Sequence, residues 1–195
     1  METEQLKELM LQSLTHERGG VKLYEAAVEC ATNEDLRGEW EKYLKETKRH
    51  VEVLEATCAA FGFSDAEPSP GCRILAQMGE ALVRAVRDAQ GAGDPAAAQI
   101  VAAECVVLAE TKDHLDWELI GQCAKAMKGE ERKALLAAYE EVEDQEDEHL
   151  YHTKGWCREL WLDSLGLKAM LPPPEERKHV KTAIGAARAE QSRKH

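Results

Sequence analysis

Apolar residues recur at alternating spacings of three and four residues in four long segments of the chain. This spacing places apolar side chains on one face of an α-helix and leaves the other faces polar. It predicts four helices, over residues 4–31, 33–62, 95–127 and 130–163. Amphipathic helices of this length bury their apolar faces by packing against one another, so the predicted fold class is all-α, with a four-helix bundle.

The segment between the second and third long helices is too long for a plain loop, since it covers residues 59–93. Residues 72–90 within it have a helical pattern of their own. We therefore expect a long crossover that contains a short helix and returns along the bundle. Such a crossover makes the second and third long helices parallel.

Composition and charge narrow the class of protein. The formal net charge of -12 argues against nucleic acid as a partner. The chain has no run of about eighteen apolar residues, and residues 1–19 contain no hydrophobic signal core. These features predict a soluble, cytoplasmic protein that does not bind membranes.

The charge also divides the chain into two parts. From Leu171 onward, six Lys and Arg residues stand against three Glu residues, so the C-terminal end is basic. This change follows a Pro-Pro-Pro stretch. We predict a bundle over residues 1–165 and a C-terminal arm over residues 166–195 that is partly helical or disordered.

Six cysteines are present, and no two of them form a Cys-x-x-Cys pair. Without an export signal, paired disulfides are not expected. We predict reduced, mostly buried thiols. The absence of Cys-x-x-Cys pairs also excludes an attached rubredoxin-type iron centre.

The first two long helices match the last two in the spacing of several residues. In each pair a glutamate is followed seven residues later by an aromatic residue, and another aromatic residue precedes a histidine by ten. The corresponding residues are Glu17 and Glu110, Tyr24 and Trp117, Trp40 and Tyr139, and His50 and His149. The agreement in one register indicates an internal repeat.

Six ionisable residues occupy the apolar faces of the predicted helices. They are Glu17, His50, Glu110, His114, Glu146 and His149. An unpaired buried carboxylate is costly, so these residues need partners. They form either a hydrogen-bonded polar layer or a set of metal ligands from four helices. Glu146 and His149 lie one helical turn apart and can reach a single ion. The occurrence of the full set in the register of the repeat favours a metal site. Oxygen and nitrogen ligands without thiolates suit Fe, Mn or Zn.

One Glu from each of two helices, with a Glu-x-x-His from each of the other two, is the pattern of ferritin-like di-iron proteins. The chain resembles that superfamily over about residues 5–163. The spacing from Glu17 to Tyr24 and the sequence Lys48-Arg49-His50 resemble rubrerythrins. The resemblance implies two Fe ions, although one is possible, as are Mn or Zn. It implies that Glu17 and Glu110 are terminal ligands, that His50 and His149 each bind one iron, and that Glu146 bridges them.

The chain departs from the family pattern at Thr47, which stands where the family has a Glu three residues before the histidine. Glu46 is rotated by about 100° from that face and reaches a metal only through a local helix distortion. His114, one turn beyond Glu110, is an additional candidate. Residues that are either additional ligands or neighbours of the ligands are thus His114, Glu46, Thr47 and Tyr24.

The resemblance implies an Fe(II)-oxidising or peroxide-reducing activity, with Fe(II) and dioxygen or peroxide as partners, in iron handling or oxidative-stress defence. It also implies a homo-oligomer, either a dimer or larger. Two alternatives stay open. One is a non-catalytic helical scaffold with a degenerate or mononuclear metal site, and the other is a di-iron oxygenase that acts on an organic substrate.

Overall fold

The computed structural model describes residues 3–66, 68–171 and 174. Its helices are α1 (Thr3–Cys30), α2 (Glu34–Ala60), α3 (Pro70–Gly91), α4 (Pro95–Ala126) and α5 (Gly129–Ser164). None of these described residues lies in a strand. The predicted all-α class is therefore confirmed. The predicted C-terminal arm lies outside the described residues beyond Leu171, apart from Pro174.

Three of the helices begin at side-chain caps that are visible in the sequence. The Asn33 side chain accepts hydrogen bonds from two backbone N–H groups at the start of α2. The side chains of Ser69 and Asp94 cap α3 and α4, and each is followed by a proline. A cap of this kind satisfies N–H groups that have no partner inside the helix. It therefore fixes the residue at which each helix starts.

Contacts across the core define the directions of the four long helices. Glu17 contacts Trp117 while Tyr24 contacts Glu110, so α1 and α4 are antiparallel. The contacts between α2 and α5 also pair residues in opposite order. Because α1 and α2 pack together across a short connection, they are antiparallel as well. It follows that α2 and α4 run in the same direction.

Helix α3 lies outside the four long helices and packs against α1 and α4. Helices α3 and α1 come close together at two glycines, Gly79 and Gly19. A Cβ atom added to Gly79 would lie 3.4 Å from the Cα atom of Gly19. The absence of side chains at both positions allows the two helix backbones to come this close.

The core consists of two apolar clusters with a polar layer between them. One cluster contains Leu23, Trp40 and Trp156, and the other contains Met10 and Leu135.

All six cysteines are free thiols, and four of them are buried. No described helix is both long enough and apolar enough to cross a membrane.

Candidate metal centre

The polar layer brings together five of the residues that the sequence singles out, from four different helices. They are Glu17 on α1, His50 on α2, Glu110 on α4, and Glu146 and His149 on α5. Each of the five is at most 3% exposed. The helix packing therefore removes three carboxylates and two imidazoles from water in one small region.

His50 turns its Nδ1 atom towards two of these carboxylates. The Nδ1 atom lies 3.0 Å from Oε1 of Glu146 and 3.3 Å from Oε1 of Glu17. On the other side of the ring, Nε2 lies 2.8 Å from Oε1 of Gln145 and donates a hydrogen bond to it. This contact fixes the ring orientation and leaves Nδ1 as the atom that faces the centre.

His149 is arranged in the same way. Its Nε2 atom lies 3.0 Å from Oε2 of Glu46. Its Nδ1 atom lies 3.6 Å from Oε1 of Glu146 and 3.7 Å from Oε2 of Glu110. Glu46, a candidate ligand or neighbour in the sequence, is thus in contact with the side of the imidazole that faces away from the centre.

The hydrogen bonds that hold Glu17 and Glu110 are reciprocal between the two halves of the chain. The Tyr24 hydroxyl donates to Oε1 of Glu110 at 2.7 Å, and Trp117 Nε1 donates to Oε1 of Glu17 at 2.9 Å. Tyr24 and Trp117 are corresponding residues of the repeat, and so are the two glutamates. Each half of the chain therefore orients a carboxylate of the other half, as expected for a duplicated site.

Asp113 is a member of the centre that sequence reasoning missed. It is 4% exposed, and one of its carboxylate oxygens lies within 4.8 Å of oxygens of Glu17 and Glu146. It follows Glu110 by three residues and therefore shares a helix face with it. The three-residue spacing from Glu110 is the feature of the sequence that could have identified Asp113. In the repeat, Asp113 corresponds to Gly20, which follows Glu17 by three residues.

Thr47, the counterpart of Glu146 in the repeat, is 2% exposed. A Cβ atom added to Gly20 would lie 3.4 Å from Cγ2 of Thr47. The α1–α2 half thus has glycine and threonine in contact where the α4–α5 half has Asp113 and Glu146. The carboxylates of the centre are therefore distributed unequally between the two halves.

His114 lies at the edge of the centre. Its Nε2 atom is 2.7 Å from Oδ1 of Asp147, and its side chain is 26% exposed. It lines a cavity of about 170 Å³ that also reaches Glu146. The structure does not bring His114 into contact with the central carboxylates.

Burial and mutual repulsion perturb the titration of the carboxylates. Burial, followed by the charge of Glu110, raises the pKa of Glu146 to about 7. Burial also raises the pKa of Glu110 to about 8, although the hydrogen bond from Tyr24 acts in the opposite direction. The pKa of Asp113 is raised well above its usual value by burial and then by Glu17. The metal-free centre therefore retains protons that a free carboxyl group would lose.

The same carboxylates stabilise the charged form of His50. Burial disfavours the charged imidazolium, but the close negative carboxylates of Glu146 and Glu17 outweigh it and raise the pKa of His50 to about 11. A positive charge is therefore favourable at this position. In the metal-free protein the protonated ring of His50 supplies part of this positive charge.

Seven oxygen and nitrogen atoms of the centre that could bind a metal are buried and lack a hydrogen-bond partner. They are Oε2 of Glu17, Nδ1 of His50, Oε2 of Glu110, Oδ1 of Asp113, both carboxylate oxygens of Glu146, and Nδ1 of His149. Most buried polar atoms in folded proteins are hydrogen-bonded. Two subsets, His50 with Glu146 and His149, and Glu17 with Asp113 and Glu146, have ligand atoms within 4.8 Å of one another. These buried groups can hold a metal ion.

A comparison of the chain with protein-family models, with curated proteins and with solved structures finds no match. The assignment of the centre therefore depends on its geometry and on the chemistry of its residues.

Proposed function

We propose that the protein is a ferritin-like metal protein whose core binds iron and oxidises Fe(II) with dioxygen or peroxide. The observation that carries this proposal is the convergence of seven unpartnered oxygen and nitrogen atoms from four helices on one buried region. Iron suits such a mixed ligand set because carboxylates and imidazoles both bind it. The parallel directions of α2 and α4, joined through a helical crossover, support the ferritin-like assignment.

The side chains have distinct roles in this proposal. Glu146 contacts both imidazoles through Oε1 and would supply a carboxylate ligand beside each of them. Glu17 and Glu110 would be further ligands, held by Trp117 and Tyr24 respectively. When bound, each ferrous ion supplies one electron to dioxygen or peroxide. The two aromatic donors keep the carboxylates oriented before the metal arrives, which limits the rearrangement needed for binding.

The family pattern has a Glu at the position of Thr47, and in this chain Asp113 supplies a carboxylate instead. A hydroxyl is a weak ligand, whereas Asp113 adds a carboxylate within 4.8 Å of Glu17 and Glu146. The number of carboxylates in the centre is therefore the same as in a pattern with Glu at the position of Thr47. Their placement, however, is shifted towards α4.

The experiment compares the wild-type protein with Glu146→Ala. The metal content of each protein, purified without added metal, is measured by elemental analysis. Both proteins are then loaded anaerobically with Fe(II) and exposed to oxygen while ferric absorption is followed. We expect iron in the wild-type protein and faster Fe(II) oxidation than in Glu146→Ala. Equal, slow oxidation by both proteins would refute the catalytic proposal.

A non-catalytic site with a single ion is the second candidate function. It is favoured by one observation: Gly20 and Thr47 of the α1–α2 half stand where the α4–α5 half has the carboxylates of Asp113 and Glu146. It predicts one ion per chain and no acceleration of Fe(II) oxidation. The oxygenase alternative has less support, because the cavity that reaches Glu146 is about 170 Å³ and is lined largely by charged side chains.

A further inference from the structure

One cavity connects the buried centre with the surface between α4 and α5. Its volume is about 170 Å³. Its lining residues are His114, Trp117, Glu118, Tyr139, Glu143, Glu146 and Asp147. Four of these seven side chains are carboxylates, and no lysine or arginine is among them. The cavity is therefore strongly negative.

Glu146 connects this cavity with the metal centre. It is 2% exposed, and both of its carboxylate oxygens lack a hydrogen-bond partner. The same residue belongs to both groups of candidate ligands. An unpartnered carboxylate at the inner end of an acidic cavity is suited to take over a cation that has passed through it.

The outer carboxylates occupy a different position from Glu146. Glu118 and Glu143 are exposed, and the Asp147 side chain is 46% exposed. Asp147 precedes the ligand His149 by two residues on α5 and contacts His114 across the cavity. Negative charges are thus placed at the mouth of the cavity and at its inner end.

We propose that this cavity is the route by which hydrated divalent cations reach the centre, with Glu118, Glu143 and Asp147 attracting them at its mouth. The inference rests on the proposed function, because it requires a cation site in the core. A cleft lined by charges of one sign raises the local concentration of the opposite ion and the rate of association. The carboxylates at the mouth thus affect the rate of metal uptake, whereas the buried ligands determine how much metal is bound.

The test measures Co(II) uptake by the metal-free full chain in a stopped-flow instrument, using the quenching of tryptophan fluorescence. The wild-type protein is compared with the double variant Glu118→Gln/Glu143→Gln. Glutamine keeps the size of each side chain and its ability to accept a hydrogen bond. Glu41→Gln is the control, since Glu41 is exposed on α2 and does not line the cavity.

At low ionic strength we expect the double variant to take up Co(II) about tenfold more slowly than the wild type. The difference should largely disappear at about 0.5 M NaCl, because salt screens exposed charges. The amount of Co(II) bound at equilibrium should be unchanged, and Glu41→Gln should behave as the wild type. Equal uptake rates in the wild type and the double variant, or equal slowing by Glu41→Gln, would overturn the inference. Failure of the wild type to bind Co(II) at equilibrium would instead refute the proposed metal centre itself.

Discussion

A carboxylate oxygen of Asp113 lies within 4.8 Å of a carboxylate oxygen of Glu146 in the buried centre. The corresponding residues of the other half of the chain are Gly20 and Thr47, which pack against each other without any charge. The centre therefore has a two-fold arrangement of imidazoles but an unequal distribution of carboxylates.

Replacing Asp113 with Asn should stabilise the metal-free protein and weaken metal binding. Burial and the neighbouring carboxylates of Glu17 and Glu146 disfavour the charged form of Asp113, and an amide of the same size cannot ionise. We expect a gain of about 1 kcal/mol, which corresponds to a melting temperature higher by roughly 2–4 °C. Thermal unfolding with and without Zn(II) measures both effects. Glu41→Gln, an exposed change of the same charge, should alter neither. A less stable Asp113→Asn protein with full metal content would contradict the expectation.

Glu46→Ala and Gln145→Ala should each reduce metal affinity without removing any of the atoms that face the centre. Their side chains fix the Nε2 atoms of His149 and His50 respectively. Loss of such a partner usually lowers metal affinity about 10- to 100-fold. Competition with a chromophoric chelator measures the dissociation constants. The exposed residue Glu41 again provides the control, as Glu41→Ala. Unchanged affinity in both variants would show that the imidazoles need no such support.

Metal binding should weaken as the pH falls from about 8 to 5. The folded-state pKa values of Glu110 and Glu146, about 8 and about 7, exceed the unfolded value of 4.5. Their contribution to the stability of the metal-free protein is therefore complete below the unfolded pKa and is lost as the pH rises through the folded pKa values. A metal must displace these protons, so the stabilisation by metal grows with pH. Melting temperatures with and without Mn(II) across this range provide the measurement. A metal-induced shift that is constant from pH 5 to 8 would contradict the titration.

Gly121→Ala and Gly38→Ala should have opposite effects on stability. A Cβ atom at Gly121 would lie 2.5 Å from the ring of Tyr139, whereas nothing lies within 4 Å of one at Gly38. Overpacking typically costs about 1–3 kcal/mol. Alanine in an exposed helix interior gains about 0.5–1 kcal/mol over glycine. Denaturant unfolding at one pH compares the two. Equal stabilisation by both would show that Tyr139 moves aside without cost.

The helices and most of the centre could be predicted from the sequence because both depend on local periodicity. Buried charge on an apolar helix face is visible in the spacing alone, and this spacing identified Glu17, Glu110 and Glu146. The spacing could not decide between Asp113 and His114, since positions three and four residues after Glu110 lie on the same side of a helix. The rotation of α4 about its own axis, relative to the neighbouring helices, determines which of the two residues faces the centre. That rotation depends on packing in three dimensions, and it turns Asp113 inward and His114 towards the cavity.

Glu46 illustrates a second limit. Its angular offset from the helix face made it a poor candidate ligand in the sequence, yet it contacts a candidate ligand from the far side. A contact of this kind involves residues on two helices, and spacing within one helix cannot reveal it. Packing between helices likewise explains Gly19 and Gly20, which lie next to Gly79 and Thr47 respectively.

The two imidazoles are held by unlike partners, and this gives them unequal donor strength. The Nε2–H group of His50 meets the neutral amide of Gln145, whereas that of His149 meets the carboxylate of Glu46. A carboxylate draws the ring proton more strongly than an amide and leaves more electron density on the opposite nitrogen. Two positions related by the repeat thus differ as Lewis bases, and a cation held mainly by His149 would receive more charge than one held mainly by His50.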